Sequence, residues 1–170
     1  AHFAAARADG ARLLDFGCGS GWAAALLAGL GFAVEAMDGS PGLAAEARRR
    51  YGLEVRVAPF EALEAEGRYD GIWASFCLLH APRAELGAHL ARLARALRPG
   101  GLLYLGMKEG AGEARDRLGR RYSYFSGDEL RAALAAAGLA VEAVAREHGR
   151  GYAGGEETFL HIHARREAAP

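Results

Sequence analysis

Cysteine is scarce in this chain. Cys18 and Cys77 are the two in 170 residues, each among apolar or glycine neighbours and neither in a Cys-x-x-Cys pair. That excludes a disulfide framework and fits free thiols in a reducing, cytoplasmic compartment. Charge of either sign is not in excess, since 21 Lys and Arg balance 21 Asp and Glu. A general nucleic-acid or membrane-surface binder would carry a basic surplus. No apolar run is long enough for a membrane span, and no secretory signal is present, although the chain opens at Ala1 without a methionine. Repeats and low-complexity linkers are also missing. A 51% hydrophobic, 25% charged composition then describes one globular domain over residues 1–170.

What is present is an alternation of short apolar runs with helical stretches. Strands are expected at 11–16, 32–38, 53–58, 69–76 and 102–106, with two more at about 139–146 and 157–165. Helices are expected at 22–30, 40–52, 82–97 and 126–138. Ser40 followed by Pro41 reads as a helix start, and Gly52 as its stop. Ser126 and Glu129 have capping-box spacing. Leu86, Leu90, Leu93 and Leu97 share one helical face, which leaves His89 on the exposed face. Residues 98–101 read as a turn, 107–125 as a long polar loop, and the glycine-rich 149–155 as a hairpin connection. The order predicts an α/β fold: a doubly wound, mostly parallel seven-stranded sheet closed by an antiparallel hairpin.

The first strand runs into "DFGCGSGW", residues 15–22. A strand, a glycine turn and a helix N-terminus form a nucleotide site because free N–H groups point outward and bare backbone permits close approach. The ligand is expected at the strand carboxyl ends, near the switch point of the sheet. Its identity follows from spacing. The dinucleotide pattern G-x-G-x-x-G would put its third glycine at Trp22. Here the glycines alternate as Gly17, Gly19 and Gly21, behind Asp15. An acid there suits a cationic cofactor better than a pyrophosphate. Asp38, at the end of the second strand, can accept ribose hydroxyls. S-adenosylmethionine has the required ammonium, sulfonium and ribose, and no phosphate.

"LLDFGCGSG", "VEAMDGSP", "YDGIWASFCLLH", "ARALRPGGLLYLG" and "FSGDELRAALAAAGL" together resemble the class I S-adenosylmethionine-dependent methyltransferases, over nearly the whole chain. Within that class the sequence is similar to a small-molecule branch that includes tellurite-resistance-type enzymes. The resemblance implies that Asp15 and the backbone of Gly17, Gly19 and Gly21 hold the methionine moiety. It implies that Asp38 holds the ribose with Gly39 beside the adenine, that Phe60 and Glu61 border the adenine, and that Ala74, Ser75 and Phe76 line the sulfonium side. Two departures stand out. Pro59 replaces the acid that many relatives use for the adenine amino group, leaving that group to backbone atoms or Glu61. Few residues precede the first strand, so the helical segment that covers the cofactor in relatives is expected to be truncated.

Methyl transfer from a sulfonium is an in-line displacement, in which the cofactor carries the activation and the protein supplies orientation. Candidate acceptor-side residues are His80, Lys108, Glu109 and the run Arg115, Arg117, Arg120 and Arg121 beside Tyr122 and Tyr124. His80, Arg120 and Tyr122 are singled out as catalytic candidates. They suit an anionic or oxyanionic small molecule, a metalloid oxyanion of the tellurite type among them. "SFCLLH" replaces the element used for base amino methylation, and Cys77 lacks the Pro-Cys context of cytosine C5 methylation, so no nucleic-acid substrate is expected. His161 and His163 share a strand face without a third ligand at suitable spacing, so no metal is expected. Cys18 reads as a space-filler. The expected state is monomer or homodimer. The rival readings are a nicotinamide-dependent oxidoreductase and a non-catalytic cofactor-binding module.

Overall fold

The computed structural model describes residues 10–151 and 154–168. The chain order is β1 (Arg12–Phe16), α1 (Trp22–Gly29), β2 (Ala33–Asp38), α2 (Pro41–Tyr51), β3 (Val55–Val57), β4 (Tyr69–Ser75), α3 (Leu86–Ala96) and β5 (Leu97–Lys108), followed by β6 (Glu113–Arg115), β7 (Arg121–Ser123), α4 (Gly127–Ala136), β8 (Leu139–Arg150) and β9 (Glu156–Arg166). The main sheet has seven strands in the order β3-β2-β1-β4-β5-β9-β8. Its first five are parallel, and β9 runs antiparallel to both β5 and β8. The predicted doubly wound sheet is therefore the one observed. Order reverses between β1 and β4, which opens a crevice above their carboxyl ends.

Alternate residues of the central strands feed two faces. Leu14 and Phe16 join Leu90 and Leu93 of α3 and Leu130 and Leu134 of α4 in the larger core. Leu13 packs with Leu27 of α1 on the opposite face. Burial on both faces explains why β1 reads as an apolar run without alternation. The local stop and start signals operate as written. Ser40 Oγ accepts the Leu43 N–H, Pro41 takes the first helical position and Gly52 adopts φ 67°. Ser126 and Glu129 close a reciprocal capping box.

Three expectations are corrected. Residues 107–125 are not simply loop: β5 continues to Lys108, and β6 pairs antiparallel with β7 in a separate ribbon. The turn expected at 98–101 lies inside β5, where the β4 register shifts between Tyr69 and Gly71. His89 is buried at 2% exposure, not on an outer face. The 149–155 connection includes 152 and 153, which lie outside the described residues.

The ribbon owes its order to distant partners. Ser123 Oγ donates to the Ala81 carbonyl at 2.7 Å, and the Arg83 N–H donates to Glu113 at 2.6 Å. The Arg83 guanidinium also lies 4.2 Å from the Phe125 ring centroid and pairs with Glu129. These contacts pin the ribbon beside the exit of β4.

Candidate cofactor cleft

Above the switch point lies a cleft of about 650 Å³, lined by residues that include Asp15, Gly17, Gly19, Asp38, Gly39, Phe60, Ser75, Phe76 and His80. All nine are sequence-predicted site residues, contributed by β1, β2, β4 and the segments that follow β1, β2, β3 and β4. The structure adds Cys18, Ser20, Trp22, Ala23, Leu43 and Cys77 to the wall. Trp22 is 62% exposed there, at the position where a dinucleotide fold needs its third glycine.

The three glycines of the turn have positive φ values of 70°, 55° and 83°, but only one is bare toward open space. A Cβ on Gly17 would lie 2.3 Å from Cys77 Cβ, and one on Gly21 would lie 2.8 Å from Ala47 Cβ and Leu53 Cδ1. These two exist so that the protein can pack against itself. A Cβ on Gly19 meets nothing within 4 Å, and Gly19 lines the cleft. Gly21 is not among the residues that line it. The expectation of outward-pointing N–H groups also needs correcting. Gly17 and Cys18 both donate to the Met37 carbonyl, at 2.8 and 3.0 Å. Gly19 donates to Asp38 Oδ2 at 2.8 Å.

Two carboxylates shape the electrostatics. Asp15 is 1% exposed, and its Oδ2 has no hydrogen-bond partner. Burial raises its pKa to about 7, partly offset by the Ala24 amide and reinforced by the neighbouring Asp38 charge. An orphaned acid of this kind is satisfied by a cation. Asp38 accepts the Gly19 N–H on one oxygen and the Ser40 N–H on the other. Each oxygen retains lone-pair capacity for a hydroxyl donor. Burial pushes the Cys18 thiol up to about 12 and the Cys77 thiol higher still, with Asp15 adding to both. Burial thus disfavours the thiolate at both positions, and Cys18 packs with Ala24 and Ala36.

At the exit of β4, Phe76 carries φ 52°, the one positive value outside glycine among the described residues. Its N–H donates to the Gly106 carbonyl at 3.0 Å, and a Cβ on Gly106 would lie 3.1 Å from Phe76 N and 3.2 Å from its ring. The bare Gly106 therefore lets Phe76 turn into the cleft. Ala74, by contrast, is fully buried in the larger core and is not among the lining residues. Glu61 also departs from its expected place, lying outside the cleft lining with a carboxylate 3.7 Å from His89 Nε2.

His80 sits on the cleft rim with its Nδ1 2.8 Å from the Arg121 carbonyl of the ribbon. A carbonyl only accepts, so Nδ1 is the donor nitrogen here, and in the neutral ring Nε2 is the one that accepts. Tyr122 packs against His80 with ring centroids 4.8 Å apart. Behind it, Lys108 Nζ lies 3.8 Å from the Tyr122 centroid and 2.8 Å from Glu157. Three arginines of the run are engaged within the ribbon and the turn it encloses. Arg120 pairs with Asp116 at 2.6 Å, Arg121 lies 3.6 Å from Glu113, and Arg115 donates to the Gly119 carbonyl at 2.6 Å. Arg120 is absent from the cleft lining, as is Tyr122. Tyr122 meets the cleft rim through His80, and the Arg120 guanidinium lies 5.6 Å from the Tyr122 ring centroid.

A sheet of this order, with a glycine turn and two acids at its switch point, defines a Rossmann-like fold of the methyltransferase type. Residues 1–144 match the family described as "Methyltransferase domain", and the chain belongs to that family. It is 31% identical to 1,6-didemethyltoxoflavin-N1-methyltransferase of Burkholderia thailandensis, solved with 1,6-didemethyltoxoflavin and S-adenosylhomocysteine bound. That match covers 93% of this chain and 72% of the other, with a TM-score of 0.77. An S-adenosylmethionine-dependent methyltransferase from Methanosarcina mazei shares the fold at a TM-score of 0.87 and 20% identity, covering 99% and 98% of the two chains. Among curated proteins, the trans-aconitate 2-methyltransferase of Methylobacterium nodulans is 40% identical over 115 residues, 65% of this chain and 43% of that protein. The ubiquinone biosynthesis O-methyltransferase of Xanthomonas oryzae pv. oryzae is 40% identical over 113 residues, 61% of this chain and 46% of that protein. The chain thus spans less than half the length of these two relatives. Among the described residues, no helix is long and apolar enough to cross a membrane.

Proposed function

We propose that this protein transfers a methyl group from S-adenosylmethionine to a small-molecule acceptor. The observation that carries this reading is the pair of acids on the glycine turn, one of them buried with an unsatisfied oxygen. A pyrophosphate would meet two negative charges in that position, whereas a cationic nucleoside is drawn to them. When bound, S-adenosylmethionine supplies an activated methyl on its sulfonium. The residues that would hold it are Asp15 for the ammonium, Asp38 for the ribose hydroxyls, Gly39 and Phe60 for the base, and Ser75 and Phe76 beside the reacting end.

His80 Nε2 is the group suited to take a proton from an acceptor hydroxyl, because its partner nitrogen is held protonated by the Arg121 carbonyl. Tyr122 holds the imidazole in place and is a positioning residue. Arg120 is already paired with Asp116, so this reading does not rest on an arginine clamp for a tellurite-type oxyanion. The relatives named for a ubiquinone-pathway O-methyltransferase, a trans-aconitate methyltransferase and a didemethyltoxoflavin N1-methyltransferase support an organic small-molecule acceptor.

Calorimetric titration with S-adenosylmethionine, S-adenosylhomocysteine and the nicotinamide dinucleotides tests the cofactor. Binding of the first two alone is expected, and binding of a dinucleotide alone would refute the reading. Turnover against phenolic and carboxylic acceptors separates an enzyme from a binding module.

A further inference from the structure

Behind the Phe60 wall of the cleft, one group of donors takes no part in the proposed reaction. The His89 side chain is 1% exposed, yet neither of its ring nitrogens has a hydrogen-bond partner. Buried imidazoles carry at least one N–H that needs an acceptor, so an unpartnered one marks a missing group. Its Nε2 faces two carboxylates, Glu61 Oε1 at 3.7 Å and Glu85 Oε2 at 3.5 Å. These separations are too long for good hydrogen bonds. One donor atom from each of the three residues lies within 4.8 Å of the others.

Local structure builds the cluster. Glu85 is the N-cap of α3, and His89 follows one turn later on the same helical face. Glu61 comes from the 3-10 turn Phe60–Ala62. Both glutamates are exposed at the surface and so free to adjust, while the histidine is fixed in the core. Bonds of about 2.0–2.2 Å to a shared cation place donors no more than about 4.4 Å apart, a small contraction from the observed spread.

We propose that Glu61, Glu85 and His89 bind a first-row divalent transition-metal cation. One imidazole and two carboxylates suit Zn²⁺, Co²⁺ or Mn²⁺, with water completing the shell, whereas Mg²⁺ favours an all-oxygen set. The Phe60 ring stands edge-on to His89, with centroids 5.5 Å apart, and also packs against Phe16 at 4.8 Å. The cation therefore braces the cleft wall from behind and touches no reacting atom.

The test reads metal binding directly and does not depend on methyl transfer. The full chain is stripped with EDTA, then titrated with CoCl₂ by visible absorption and with ZnCl₂ by calorimetry. One Co²⁺ per chain is expected, displaced by one Zn²⁺, with no saturable response to MgCl₂. Glu61→Gln and Glu85→Gln should each weaken binding by about tenfold or more, while circular dichroism and the melting temperature of the metal-free protein stay unchanged. His148→Ala, at an exposed histidine elsewhere, should leave the titration unaltered. Failure of the wild-type chain to bind either ion stoichiometrically overturns the proposal. So does binding that survives the Glu61→Gln, Glu85→Gln double substitution.

Discussion

Asp38 ties the glycine turn to the end of β2 by accepting the Gly19 N–H at 2.8 Å, while its other oxygen accepts the Ser40 N–H. The residue expected to hold the cofactor's ribose is thus also the one that shapes the loop beneath it. Asp38→Ala should weaken S-adenosylhomocysteine binding by roughly 10- to 100-fold, the range for losing a hydrogen bond to a charged acceptor. The loop and ribose contributions separate in a cycle with the 2′-deoxy analogue. Wild-type protein should discriminate against that analogue and Asp38→Ala should not. Equal discrimination by both would remove the ribose assignment.

Asp15 sets a pH dependence of known sign. The unfolded chain loses this proton near 3.8 and the folded chain near 7. Between those values the folded state binds more protons than the unfolded state, so stability of the cofactor-free protein falls as pH rises through the window and then levels. Asp15→Asn should abolish that slope and stabilise the free protein above pH 7, by on the order of a few kcal/mol. The same change should weaken S-adenosylmethionine binding. In wild-type protein, affinity should decline as pH drops below 7, because a cation competes with the proton. Melting curves and calorimetry across pH 4–9 measure both.

Gly17 and Gly19 should respond differently to alanine. Gly17→Ala drives a Cβ into Cys77 and should prevent stable folding, without rescue by Cys77→Ala because the clash is with Cβ. Gly19→Ala meets only the left-handed backbone penalty, about 1–2 kcal/mol, and should fold. Its new methyl borders the cleft and should reduce cofactor affinity. Thermal melts paired with titration would expose any reversal of this order.

His80→Ala should lower kcat by about 10²- to 10⁴-fold on an acceptor that must lose a proton, with cofactor Kd nearly unchanged. Tyr122→Phe should have a small effect, since the ring and not the hydroxyl packs on His80. Arg120→Ala should act only through ribbon stability, read as a lower Tm. A selective loss of acceptor binding in Arg120→Ala would restore the anion clamp.

The chain order of the seven main-sheet strands and helices α1–α4, the capped ends at Ser40, Gly52 and Ser126, and the acid–glycine turn are all legible in the amino-acid sequence by itself. Each is written in neighbouring residues: periodicity, a capping side chain, or a glycine where φ must be positive. What only the tertiary structure decides depends on residues far apart in the chain. Gly17 is bare for Cys77 and Gly21 for Ala47, while a Cβ on Gly19 would meet nothing within 4 Å. The 113–123 ribbon, which composition marks as polar loop, is ordered by contacts with Ala81 and Arg83. His89 turns inward between Glu61 and Glu85, although the leucine spacing of α3 places it outside. Helical periodicity says which residues share a face, but how wide a face the core takes up is set by the elements packed against it.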